Sequence, residues 1–205
     1  MFSYFRNILY YKSSEKYTIS HLIFGIGNKG HEYNKTRHNI GFFIVDELLR
    51  DLPTVKTFRY FNSELFLYRF KESKYVLIAK PQTYVNRSGK PFIEIQKKYK
   101  LSLSTCLVVI DDFHLPLGTI RFKRRGSDGG HNGLKSVIAE VGNEFPRLKI
   151  GIGPKPDNCN TIEFVLGSFS TDEEKKIKEI IIKATKAIHF FCENGIDAAM
   201  NVYNK

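Results

Sequence analysis

His38 lies in the run Thr36-Arg37-His38-Asn39, at the expected start of a helix. Imidazole is the one side chain whose ordinary pKa lets it take a proton from water near neutrality. A lone histidine at a helix start is more often structural than catalytic, so its weight comes from its company. Asp111-Asp112 follows the apolar run Cys106–Ile110, which puts carboxylates at the end of a central strand. Asn28 sits in a Gly-rich loop, Asn86 in the polar turn Lys80–Gly89, and Asn132 in the loop Gly129–Gly133 that opens a helix. One histidine, one strand-end carboxylate and three strand-end amides make a set suited to general-base hydrolysis. The Asp orients the imidazole and raises its basicity, the imidazole takes a proton from water, and the amides hold the substrate and its developing oxyanion.

Two other chemistries compete for the same residues. Gly25-Ile26-Gly27-Asn28-Lys29-Gly30 has the spacing of a dinucleotide loop, with Asp46 near the distance of a ribose partner. Such a site needs a helix that opens at the glycines, so that pyrophosphate meets its amino end. Here the polar stretch His31–Lys35 intervenes, and the reading is set aside. A mixed metal set could be drawn from Asp111, Asp112, His114 and His131, but strand-end orientation accounts for the acidic pair, and no metal or other cofactor is expected.

The elements that must position these residues are legible in outline. His21–Ile26 reads as a buried strand, and a helix carries Ile40, Phe43, Ile44, Leu48 and Leu49 on one face before Pro53. Thr36 is expected to cap that helix, with His38 in its first turn. Phe61–Phe70 and Tyr75–Ala79 read as paired strands joined at Lys71–Lys74. A helix over Gly89–Lys100, a central strand over Cys106–Ile110, a strand over Gly118–Lys123, a helix over Asn132–Val141, a strand over Leu148–Ile152 and a helix from Asp172 to about Glu193 complete the series. The alternation predicts an α/β fold: a single domain with a mixed, twisted β-sheet flanked by α-helices. The domain is expected over 21–205, with 1–20 an N-terminal extension or a weak organellar transit peptide.

Composition narrows the partner. The 205-residue chain carries 32 Lys and Arg against 21 Asp and Glu, a formal net charge of +11, which favours a polyanion. Arg121, Lys123, Arg124 and Arg125 form a dense basic run beside the His131-Asn132 loop, with Lys135, Arg147 and Lys149 near it in sequence. Phosphate contacts of this kind position a nucleic acid without reading its sequence. The three cysteines are far apart and show no CxxC spacing, which fits a reducing compartment and argues against a cysteine-based zinc site. No apolar run approaches the ~18 residues of a membrane span.

Several of these segments, in order, resemble the bacterial-type peptidyl-tRNA hydrolase family: Gly-Ile-Gly-Asn-Lys-Gly at 25–30, Tyr33, Thr-Arg-His-Asn-Ile-Gly at 36–41, Lys-Pro-Gln-Thr-Tyr-Val-Asn-Arg-Ser-Gly at 80–89, Gly-His-Asn-Gly-Leu-Lys at 130–135, Arg-Leu-Lys-Ile-Gly-Ile-Gly at 147–153 and Phe-Val-Leu-Gly at 164–167. The resemblance implies hydrolysis of the ester joining a peptide to the 3′ end of tRNA, which recycles tRNAs released early from ribosomes. By motif position it makes His38 the base and Asp111 its orienting carboxylate. It makes Asn28, Asn86 and Asn132 the positioning amides, and Tyr33 and Tyr84 aromatics near the substrate. Arg121, Lys123 and Lys149 fall where the family meets tRNA. It implies no cofactor. A monomer is expected, since nothing in the apolar pattern demands a dimer, and the cytoplasm is the expected compartment, or an organelle if residues 1–20 direct it there. The chain departs from the family's usual pattern at Lys29, Val85, His114, Arg125, Ser127 and Asp128. Those departures leave a second reading open, a non-catalytic RNA-binding relative of the same fold, akin to splicing factors, although such a binder has no need of the intact His38, Asp111 and asparagine set.

Overall fold

In β1 (Ile19–Gly25) Leu22 and Phe24 enter one apolar cluster and Ile23 enters another, all three buried. In β5 (Cys106–Pro116) Leu107 and Val109 join the cluster of Ile23, while Val108 and Ile110 join that of Leu22. Strands apolar on both faces require a covering layer on each. On one face lie α1 (Ile40–Asp51), through Ile40, Ile44 and Leu48, and α5 (Thr171–Tyr203), through Ile180, Ala184 and Phe191. On the other lie α2 (Gly89–Lys98), through Phe92 and Ile95, and α3 (Asn132–Val141), through Leu134 and Val137. The fold is the expected single α/β domain; the computed structural model describes residues 17–51, 54–72 and 74–205. The proposed extension at 1–20 therefore lies outside the described residues up to 16, and from Tyr17, which packs edge-on against Tyr75, the chain joins the domain.

The remaining strands are β2 (Thr54–Tyr60), β3 (Ser63–Lys71), β4 (Lys74–Pro81), β6 (Ile120–Lys123) and β7 (Arg147–Gly153). Their order is β2-β3-β4-β1-β5-β7-β6. The four central strands β4, β1, β5 and β7 run parallel, and antiparallel partners close both sides. The carboxy ends of the parallel strands share one end of the sheet, where open α/β sheets place their sites. Asn28 follows β1 and Asn86 follows β4, whereas β5 runs on to Pro116, so Asp111 lies within that strand, just past its last pairing with β1, and not at the strand end that the apolar run Cys106–Ile110 suggested.

Several expectations need correction. The helix does not start at Thr36: residues Arg37–Asn39 form a separate 3₁₀ turn and α1 begins at Ile40. Thr36 is extended and bridges to Ser168, and its hydroxyl donates to Tyr33 O, so it caps nothing. Phe61 is not in a strand; with Asn62 it forms the left-handed turn of the β2–β3 hairpin (φ 39° and 51°), a conformation such two-residue turns require. Strand β2 escapes the sequence reading because its alternation is shallow: Lys56, Phe58 and Tyr60 are only half-buried between exposed residues, and its inward face includes a lysine. A short helix, α4 (Thr161–Leu166), is too brief for periodicity to reveal. Helix α5 runs past Glu193, its regular turn broken at Gly195 (φ 78°). Beyond it Asn204 accepts from Phe122 N–H and donates to Phe122 O, occupying the outer edge of β6.

Candidate active site

The glycines of the 25–30 loop serve packing. A Cβ on Gly25 would stand 2.5 Å from Gly41 O, and one on Gly41 would stand 2.4 Å from Ile26 O. Only with both side chains absent can the start of α1 lie against the ends of β1 and β5. The 3₁₀ turn just before α1 thereby brings His38 against Asp111 of β5. No helix opens at these glycines, since a 3₁₀ turn (His31–Tyr33) follows them.

His38 Nδ1 lies 2.8 Å from Asp111 Oδ1, with both residues buried. The same oxygen lies 3.1 Å from Nε2 of His131. His131 is the cap of α3, and its Nδ1 accepts from the backbone N–H groups of Gly133 and Leu134, both at 3.1 Å. A nitrogen that accepts two N–H donors carries no proton, so in neutral His131 the proton sits on Nε2 and is donated to Asp111. His38 then donates from Nδ1, leaving its Nε2 lone pair free. The two imidazoles lie side by side against Asp111, their ring centroids 4.8 Å apart, His38 carried by the turn before α1 and His131 by the start of α3. The turn preceding His131 depends on Gly129 and Gly130 at φ 59° and 81°, values that β-carbon-bearing residues rarely adopt.

A buried carboxylate would be driven towards its neutral form by desolvation, but the two histidines outweigh this by charge and by hydrogen bond, and Asp111 is held well below the usual carboxylate range. Burial alone would lower the His38 pKa; the Asp111 anion reverses the sign and the net is a raised pKa. Although His38, Asp111 and His131 bring their ligand atoms within 4.8 Å of one another, both nitrogens that face the carboxylate are proton donors. No lone pair is directed at a common centre, so the cluster suits a hydrogen-bonded relay and not a metal. Of the other candidate ligands, Asp112 pairs with Lys149 at 2.8 Å and His114 is exposed.

Asn28 is buried on the far side of His38. Its backbone N–H donates to Asn39 Oδ1 (2.8 Å), Asn39 Nδ2 returns a bond to Asn28 O (3.0 Å), and Asn28 Oδ1 accepts from Val85 N–H (2.9 Å). With its oxygen committed to Val85, the side chain has Nδ2 left to donate to a substrate. The same bond links Asn28 to the turn Val85–Arg87 that carries Asn86.

The family model described as Peptidyl-tRNA hydrolase matches residues 22–205. The chain belongs to the peptidyl-tRNA hydrolase family. A peptidyl-tRNA hydrolase of Fervidobacterium nodosum is 41% identical over 183 residues, covering 89% of this chain and 95% of its own. One of Aquifex aeolicus is 41% identical over 185 residues, covering 90% and 96%. The crystal structure of peptidyl-tRNA hydrolase from Acinetobacter baumannii superposes with a TM-score of 0.82 at 31% identity, covering 90% of this chain and 94% of that one.

Against that family frame the anticipated residues divide into groups. His38, Asp111, Asn132 and Lys149 line one pocket, together with Phe113, Asp128, Ile162 and Val165. Asn28 and Asn86 belong to the neighbouring loops and do not line it. Tyr33 and Tyr84 meet edge to face with centroids 6.4 Å apart, Tyr84 47% exposed, and Lys29 Nζ lies 5.7 Å from the Tyr84 ring. Arg121 and Lys123 are exposed on one face of β6, and Arg121 is directly opposite Lys149 in the β6–β7 register. Arg124 pairs with Asp197 and Arg125 with Glu144, whereas Arg121 and Lys123 make no ion pair among the described residues.

Arg147, read as part of the basic run, is buried; it lies over Phe145 and donates to Gly126 O and Asn143 O, so it braces a loop and cannot meet phosphate. Val85 is core, packed beside Ile26 and the start of α3, and contributes its N–H to Asn28 rather than a side-chain wall to the pocket. Two functional positions escaped the sequence reading. His131 was considered only as a metal ligand, and Asn39 received no role; its place next to His38 was the one available signal.

Proposed function

We propose that this chain cleaves the ester joining a peptide to the 3′ end of tRNA with a water molecule that His38 activates. Peptidyl-tRNA ester hydrolysis is the activity of its family and of this enzyme. The observation that carries the mechanism is the buried 2.8 Å bond from His38 Nδ1 to Asp111, which fixes the tautomer and leaves Nε2 as the base. Nε2 takes a proton from water as the water oxygen bonds to the ester carbonyl carbon. The carbon–oxygen bond to the terminal ribose then breaks, and the proton passes to the ribose oxygen. Amide N–H groups of Asn28, Asn86 and Asn132 hold the substrate and the charge that develops on the carbonyl oxygen; each well-aimed donor of this kind is worth about 10²–10³-fold in rate. Arg121, Lys123 and Lys149 bind tRNA phosphates, and Tyr33 and Tyr84 flank the peptide end.

The enzyme works as a monomer in the cytoplasm on this reading, in keeping with its net charge of +11 and with the finding that, among the described residues, no helix is long and apolar enough to cross a membrane. The test is release of an N-acetylated amino acid from N-acetyl-aminoacyl-tRNA, with free aminoacyl-tRNA as the control. Rapid cleavage of the blocked substrate and slow cleavage of the free one are expected. Tight tRNA binding without release would instead establish the non-catalytic alternative.

A further inference from the structure

The neighbour of the base, Arg37, has no part in the mechanism above, yet it is held more elaborately than any other arginine of the described residues near the site. Its guanidinium is 11% exposed. It donates to Ser168 O (2.5 Å) and to Glu173 Oε2 (2.7 Å), and it lies over the rings of Phe164 (4.7 Å) and Phe169 (5.1 Å). Its backbone N–H donates to Gly167 O (3.0 Å), and Thr36 forms a bridge with Ser168. Glu173 is itself committed, since its Oε2 also accepts from Ser170 N–H (2.7 Å) in the capping box of α5.

All these contacts converge on the junction between α4 and α5. Helix α4 supplies Thr161, Ile162 and Val165 to the wall of the pocket that His38 lines. Six residues make a helix too short to hold its place by its own hydrogen bonds, so its seat must come from packing. The 3₁₀ turn that carries His38 is shorter still. We propose that Arg37 is a positioning residue for the hydrolysis: it locks the His38 turn to the α4–α5 junction, so that the base and the opposite wall of the substrate pocket are set as one rigid unit. Arginine is required because the planar fork reaches a carbonyl and a carboxylate at once while its face lies against aromatic rings; lysine offers a single point charge and no flat face. The lock fixes the base relative to the bound ester, and misplacement of a reacting group by about 1 Å can cost about 100-fold in rate.

The inference rests on His38 being the base, and the test keeps the two ideas apart. Arg37→Met, Arg37→Lys and Glu173→Gln are compared with the unaltered chain for folding by circular dichroism and thermal unfolding, and for kcat, KM and the pH profile of kcat/KM on N-acetyl-aminoacyl-tRNA. Arg37→Met is expected to lower kcat/KM about 100-fold, through kcat as well as KM. The acid limb of its profile moves to lower pH as the His38–Asp111 bond loosens. Arg37→Lys recovers part of the loss, and Glu173→Gln shows the same changes at about tenfold. A purely structural role would reduce the folded fraction and leave kcat, KM and the acid limb of the folded protein where they were. If Arg37→Met does not fold, the other two variants decide. Folded variants with unchanged kcat and acid limb, or with a change confined to KM, overturn the inference. No hydrolysis by the unaltered chain would fail the underlying assignment instead.

Discussion

Two histidines donate to one oxygen of Asp111, and they do opposite jobs. His38 is carried on the short 3₁₀ turn before α1 and keeps its second nitrogen open to the pocket. His131 is the cap of α3, and two backbone N–H groups occupy its second nitrogen. Both are buried, both are within 3.1 Å of the same atom, and their rings are 4.8 Å apart. What separates base from brace is the hydrogen bonding at the far side of each ring. A residue type in a site therefore says little until the partners of both its nitrogens are known.

The comparison can be broken most sharply at His38. His38→Ala should lower kcat by about 10²–10⁴-fold, the usual worth of general-base help, with tRNA binding nearly unchanged; near-normal turnover measured on N-acetyl-aminoacyl-tRNA would sink the assignment. Asp111→Asn should cost a comparable factor, up to about 10⁴-fold, since the tautomer of the base is no longer fixed. It also carries a pH signature. The Asp111 anion raises the His38 pKa, and the base acts only when unprotonated, so the acid limb of the unaltered enzyme lies above the ordinary imidazole value of about 6.5. Removing the anion should move that limb to lower pH while the plateau falls, and a limb that stays put would show that Asp111 does not act on His38.

His131 should be milder, and two substitutions separate its duties. Asn is a good helix cap but too short to reach Asp111, whereas Ala does neither. Both should lose about tenfold in kcat through the loosened carboxylate, and Ala should unfold with about 1 kcal/mol less stability than Asn because the cap is gone. A kcat for His131→Asn as low as that of His38→Ala would make the two histidines equivalent and end the distinction drawn above. The smallest effect on chemistry belongs outside the pocket. Arg121→Ala with Lys123→Ala should leave kcat alone, weaken tRNA binding, and reduce the slope of log K against log salt by about 2; an unchanged slope would mean that this face of β6 does not meet tRNA.

Much of this arrangement was legible in the residues. The helix Asn132–Val141 has the bounds its pattern suggests, and the apolar run before Asp111 marked a central strand, although that strand continues through Asp111 to Pro116 because its polar second half still pairs with β7. Chemistry called for a carboxylate beside His38, and the family resemblance chose Asp111 over Asp112 for that place. Features that depend on long-range closure were not legible. Nothing in the residue types marks Arg147 as buried: Phe145 and the Asn143 carbonyl are near it in sequence, but the Gly126 carbonyl that completes its seat comes from 21 residues away. Strand β2 has only a half-buried face, Lys56, Phe58 and Tyr60, and with a lysine in that set the period of two is faint in the residue types. The role of His131 is set by backbone N–H groups two and three residues on, which become donors only once α3 begins, and by a carboxylate from another strand. Short turns obey their own geometry, and for that reason Thr36, a good cap by type, is engaged with Tyr33 and Ser168 instead.

The pairing of Asn204 with Phe122 bears on how the molecule assembles. Those two bonds join residues 82 apart in the chain, and contacts of such separation close late because the loop between them must first be ordered. Until α5 has docked, β6 offers an unpaired strand edge, the template on which chains add to one another. The side-chain amide at position 204 acts as a stopper fitted at the end of folding, so a chain halted before that step is open to strand-by-strand aggregation along the very edge that carries Arg121 and Lys123. Their like charges, repeated on every incoming copy, are the interim safeguard.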